Sequence, residues 1–373
     1  MIRRWLPDEL ARPRAALGLA ARVLLLFVGF NLLYLAVNPI EEGRLPTLYN
    51  TVLPGRLRAT WTNAKGLYVS ETRISRVLSD LTAARPKQAD EYRVFVLGSS
   101  ETWGAYVLPE ETLPAALDRQ GLTAPDGRRV RVYNLAYPLP DSLKDLLITA
   151  YFLEHNFQPD LILYALNPYT FNPPSGDLHP LLLANPDLSE QLVQNYGLNG
   201  IPHLNSLLAL VGSPAWARHN FFSERGDLAY WLTNQAYGLA WALTGLDYDL
   251  PTLGRQSKYG GTLEWTNIRP GTLEALDQMT REHHVGLMLF SSPSNYSAPG
   301  YNQWIRDQAE HLGLPFLDCR ELLPTPEFTN SGLHLTANGQ EQLAGQLAAW
   351  TRARWTAPGA PLVSECPDHQ EGT

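Results

Sequence analysis

The sequence predicts an α/β fold: a three-layer sandwich built on a five-stranded parallel sheet, with a helical insertion and an N-terminal transmembrane helix. Three observations predict it. From residue 93 onward, short apolar runs alternate with amphipathic stretches of helical length, the pattern of repeated βα units. The run Leu161–Leu166 is apolar at every position, as in a strand covered on both faces. Near the start, Ala15–Val37 is an apolar run of about 23 residues, more than the roughly 20 that span a bilayer as a helix.

The elements follow in order. Arg22 is the one charge and Asn31 the one amide in the N-terminal run; Arg22 lies near one end, where its long stem can snorkel. Arg3, Arg4, Arg12 and Arg14 precede the run, and Glu41 and Glu42 follow it. The positive-inside rule then puts residues 1–14 in the cytoplasm and the main domain outside. A cleaved signal peptide is the competing reading, but no small-x-small cleavage site follows, which favours an uncleaved single-pass anchor. Residues 38–90 read as a membrane-proximal segment broken by Pro46, Pro54, Gly55 and Gly66.

Strands are expected at Arg93–Leu97, Val130–Leu135, Leu161–Leu166, Val285–Phe290 and Pro315–Asp318. Helices are expected at Leu113–Gln120, from Ser142 to about His155, and at Thr272–His283, Tyr301–Leu312 and Ala337–Arg354. The segment from about 170 to 262 is too long for one loop and should hold helices of its own. Within it, Ala229–Leu246 is apolar with Thr233, Asn234, Gln235 and Thr244 interrupting. That composition suits a helical cap or a surface-lying helix better than a second span. The tail from 356 to 373, rich in Pro, Gly and acids, reads as disordered.

The chain of 373 residues carries a formal charge of −8, which argues against nucleic acid as a partner. Two cysteines, Cys319 and Cys366, and scattered histidines form no metal signature, and no cofactor motif is found. The spacing leaves open whether the two cysteines pair; an extracytoplasmic setting would permit it.

The chemistry-bearing residues fall at the carboxyl ends of the expected strands, where open α/β sheets build their sites. The first strand delivers Gly98-Ser99-Ser100-Glu101, the second Asn134, and the third Asn167. His334 stands in a turn before the last helix. In this reading Ser100 is a nucleophile and His334 the base that takes and returns its proton. The Ser100 amide and the Asn167 side chain are candidate oxyanion donors. Each has a blander reading. Ser100 could cap a helix, with Glu101 favouring its N-terminus, and Asn167 before Pro168 could be turn chemistry. Asn134 reads as structural, and His283-His284 suit a helix end.

In order and spacing these residues resemble the SGNH hydrolases, the GDSL-type esterases and lipases. Gly98-Ser99-Ser100 stands where that family has Gly-Asp-Ser, and Ala165-Leu166-Asn167-Pro168 where it has Gly-x-Asn-Asp. Ser331-Gly332-Leu333-His334-Leu335, closed by Gly339, stands where it has Asp-x-x-His-Leu-x-x-x-Gly. The first block is also similar to that of D-alanine-transfer proteins of teichoic acid modification, members of the superfamily. The resemblance covers about 92–170 and 280–352. It implies a flavodoxin-like fold and an acyl-enzyme on Ser100. It further implies a serine esterase or O-acyltransferase outside a bacterial cell, acting on acylated cell-surface glycans or small acyl esters, with a membrane-bound acyltransferase as partner. A binding or scaffold protein in envelope polysaccharide biosynthesis is the alternative, and a lipase a third reading.

Two departures stand out. The second-block glycine has no clear counterpart; Ala136 or Leu139 lies near its position. Ser331 replaces the aspartate that orients the histidine. The orienter is then Ser331 itself, or Asp318 or Glu327 in its place.

Overall fold

A computed structural model describes residues 13–37, 87–105, 107–154, 157–205, 232, 236, 261–323, 333–357 and 359–366. The N-terminal helix α1 (Pro13–Val37) presents Val23, Leu24, Leu25, Leu26 and Leu33 outward, so its apolar surface is not spent on a protein core. It is the one helix among the described residues long and apolar enough to cross a membrane. Its single amide is satisfied internally: Asn31 Nδ2 donates to the Phe27 carbonyl one turn back at 2.8 Å.

The domain then runs β1 (Glu91–Leu97), α2 (Ser100–Trp103), α3 (Leu113–Arg119), β2 (Arg129–Asn134), α4 (Ser142–Glu154) and β3 (Leu161–Leu166). Next come α5 (Pro180–Ala184), α6 (Pro186–Tyr196), β4 (Gly261–Thr262), α7 (Thr272–Glu282), β5 (Gly286–Ser291) and β6 (Tyr296–Ser297). It closes with α8 (Pro299–Leu312), β7 (Phe316–Asp318), α9 (Ala337–Thr356) and β8 (Val363–Glu365). The main sheet has the order β2-β1-β3-β5-β7-β8 and every pairing is parallel. The expected α/β architecture is therefore present.

The strand period of two sorts the core into two layers. Phe95, Leu97, Ile162, Tyr164, Leu166, Leu287 and Leu289 face one side, against Leu146 and Leu147 of α4, Leu276 of α7 and Ile305 of α8. Val94, Val96, Leu161, Leu163, Ala165, Met288 and Phe290 face the other, against Leu117 of α3 and Leu343 and Leu347 of α9. Asp141 and Arg269 join α4 to α7 by a buried two-pronged ion pair, with Nε–Oδ1 3.1 Å and Nη2–Oδ2 3.2 Å.

The sheet has one strand more than expected. Val363–Glu365 pairs in parallel with Phe316–Asp318, so the expected disordered tail is ordered over 359–366. Its contacts include the Cys319–Cys366 disulfide, the Cys366 amide on the Asp318 carbonyl at 2.8 Å, and Arg306 on Glu365 at 2.8 Å. A second, two-stranded sheet, β4 with β6, was not expected either. The segment read as an insertion holds α5 and α6, while most of the apolar stretch 229–246 lies outside the described residues, as does the segment read as membrane-proximal, up to residue 86.

Candidate active site

The strand order reverses at β1, which has β2 on one side and β3 on the other. Such a switch point opens a crevice at the carboxyl ends of its two central strands. Ser99-Ser100 lie at the end of β1, and Asn167 follows β3 directly.

The turn that carries Ser100 is built on two glycines. A Cβ at Gly98 would come within 2.7 Å of Thr102 Oγ1 and 3.0 Å of the Ala165 Cβ, so the chain turns here only without a side chain. Gly104 adopts φ +93, and a Cβ there would overlap Thr112 Cγ2. Its amide and that of Ala105 both return to the Ser100 carbonyl, closing α2 after one turn. Ser100 is thereby left partly exposed between buried neighbours.

His334 reaches it from the far end of the chain. Its Nε2 is 2.8 Å from Ser100 Oγ, across 234 positions of sequence. Thr336 caps α9 by accepting the Gly339 amide at 3.2 Å, which places the His334 turn. Gln340 Nε2 then donates to the Glu101 carbonyl at 3.0 Å, tying that helix to the Ser100 turn. Burial lowers the basicity of His334, and the negative charge of Glu101 partly restores it.

Asn167 has a defined orientation. Its Oδ1 accepts the Tyr169 amide at 2.9 Å, so its Nδ2 faces the other way. The two amide hydrogens meet Glu101 Oε1 at 2.5 Å and Ser99 Oγ at 3.3 Å. Ser99 Oγ also donates to Glu101 Oε2. The side chain thus sits on the two residues flanking Ser100, and an oxyanion role would require it to exchange one of these partners.

Glu101 is the site residue that sequence reasoning missed. It reads as a first-turn acid favouring a helix end, yet it is 5% exposed and joins Ser99, Asn167 and the field at His334. An acid directly after a candidate nucleophile, on a helix of one turn, was the available signal.

The candidate orienters divide. Ser331 and Glu327 lie outside the described residues. Asp318 bonds to Ser291 Oγ at 3.0 Å, Arg320 Nε at 2.7 Å and Arg306 Nη2 at 2.6 Å, not to His334. Burial alone would raise its carboxyl, but Arg320, Ser291 and Arg306 hold it below the ordinary range. At the second block, Asn134 bridges the Trp103 carbonyl at 3.1 Å and the Ala136 amide at 3.1 Å, the structural role expected of it. Leu139 takes φ +66, a glycine-like conformation that costs a leucine about 1 kcal/mol. Among the described residues no cluster of His, Cys, Asp and Glu could hold a metal ion.

No family model and no curated protein matches the chain. Among solved structures, it is similar to a protein from Desulfitobacterium hafniense DCB-2, named as lipolytic and of the G-D-S-L family, at 9% identity and TM-score 0.34, over 69% of this chain and 98% of that one. It is also similar to a protein from Agrobacterium tumefaciens str. C58, named as an arylesterase, at 14% identity and TM-score 0.32, over 70% of this chain and 98% of that one.

Proposed function

We propose that this protein is a membrane-anchored serine esterase or O-acyltransferase of the SGNH type, facing the outside of a bacterial cell. The observation that carries the reading is the 2.8 Å contact between Ser100 Oγ and His334 Nε2 at the switch point of a parallel sheet. His334 takes the Ser100 proton as Oγ attacks an ester carbonyl, then gives it to the departing alcohol. Water, or a hydroxyl of a cell-surface glycan, is deprotonated in turn by His334 and releases the acyl group. The Ser100 amide and one hydrogen of the Asn167 amide receive the oxyanion once substrate displaces Ser99 or Glu101. Residues 1–14 remain in the cytoplasm, 15–37 span the membrane and 38–90 lie next to it. The catalytic domain follows from 91, with its insertion at about 170–262. The Cys319–Cys366 disulfide supports an oxidising compartment. Tethering suits a lipid-linked or newly exported acyl acceptor and an acyl donor handed over by a membrane acyltransferase.

The test is labelling of the detergent-solubilised full chain with a fluorophosphonate. Wild type should label and Ser100→Ala should not; equal labelling overturns the nucleophile assignment. A second reading is favoured by one observation: both Asn167 amide hydrogens are engaged by neighbours. On that reading the fold binds acylated glycan without turnover. Aryl acetate hydrolysis no faster than in His334→Ala would support it.

A further inference from the structure

Lys144 is fully buried, with 0% of its surface exposed. Lysine is seldom found so, and its place in the chain makes the burial costlier. It lies in the first turn of α4, where the helix dipole disfavours a cation. Neither helix stability nor core packing calls for it, so its contacts should explain it.

Those contacts converge on the two loops that flank the nucleophile. The ammonium donates to the Gly98 carbonyl at 3.0 Å and to the Tyr137 carbonyl at 2.8 Å. Asp145 Oδ1, 2.8 Å away, balances the charge, and Tyr164 donates to Asp145 Oδ2 at 2.9 Å. Gly98 precedes Ser99-Ser100; Tyr137 lies in the loop after β2, between Ala136 and Leu139. The Tyr137 amide also donates to the Gly98 carbonyl, at 3.1 Å. The next carbonyl along, Pro138, is held by a second buried side chain. His179 Nδ1 accepts the Leu181 amide at 3.0 Å, so its Nε2 carries the proton that meets Pro138 at 3.1 Å.

We propose that Lys144 is a positioning residue for the reaction: its ammonium locks the turn carrying Ser100 to the 136–139 loop, so that the nucleophile and the loop facing it keep one spacing. The proposal rests on the esterase reading for its catalytic consequence and on the hydrogen bonds alone for its structural one. A buried ion pair kept for stability alone can be exchanged for apolar groups at little loss. A clamp cannot, because the carbonyls lose their shared donor.

The experiment compares wild type, Lys144→Met/Asp145→Asn and Asp145→Asn in the full chain. The double variant removes donor and counter-charge together and keeps the stem's bulk. The double variant should lose at least thirtyfold in kcat on an aryl ester with KM within threefold, while thermal unfolding stays cooperative. Asp145→Asn keeps both carbonyl contacts and should stay within threefold in kcat. A folded double variant with wild-type kcat overturns the proposal, as does a tenfold fall in kcat for Asp145→Asn. If the double variant does not fold, Lys144→Gln/Asp145→Asn, whose shorter side chain cannot bridge both carbonyls, is read by the same criterion. Hydrogen exchange of the peptide spanning 134–139 separates this inference from the esterase reading. It should rise about tenfold in the double variant even if wild type turns over no ester, and unchanged exchange overturns the clamp.

Discussion

Glu101 shows how one carboxylate can act on a neighbour it does not orient. Its oxygens are bonded to Ser99 and Asn167, while its charge acts on His334. Because burial lowers the basicity of His334, the acid limb of kcat/KM should fall below pH 6.5, the ordinary histidine value. Glu101→Gln removes the field that favours the protonated ring, so the limb should move to still lower pH; an upward move would show that another group titrates. Asn167→Ala should lower kcat about a hundredfold, in keeping with about 3 kcal/mol for one oxyanion donor, with a smaller change in KM. A kcat within threefold of wild type would confine Asn167 to the turn it makes with Tyr169. Both residues were hard to read in sequence for the same reason. An acid after a helix-capping serine and an asparagine before a proline each have an ordinary local explanation, and only the fold brings them within 2.5 Å of each other.

Among the elements, the strands that proved legible were those with apolar runs. Leu161–Leu166 and Gly286–Ser291 are central strands whose side chains are buried almost throughout. Strand β8 was not legible, because Val363-Ser364-Glu365 offers one apolar side chain in a Pro- and Gly-rich stretch and owes its order to contacts from elsewhere. Lys144 and Asp145 were likewise unremarkable, a charged pair on a helix, until α4 was seen buried along most of its length. The disulfide that holds β8 closes a separation of 47 residues, for which chain entropy gives a stabilisation of about 4 kcal/mol. Cys319→Ser/Cys366→Ser should therefore lower the denaturation midpoint clearly. Ester turnover should stay within twofold, since β1, which leads into Ser100, is separated from β8 by β3, β5 and β7. An unchanged midpoint would mean that the strand holds without its staple.

For the whole molecule, the apolar surface of α1 is the feature that the α/β domain does not explain. Full-length chain expressed in bacteria should sediment with membranes and resist carbonate extraction, and a chain lacking residues 1–37 should not. Sedimentation of the shortened chain would assign the attachment to another segment. The Ser100–His334 contact has a different consequence, one of timing. Ser100 is made early and His334 234 residues later, and Gln340, which ties the last helix to the Ser100 turn, comes later still. A nascent chain therefore holds a serine with no partner until nearly all of the domain has been synthesised. On the proposed reading, turnover waits until the last helix docks, so a truncated or stalled product would be inert.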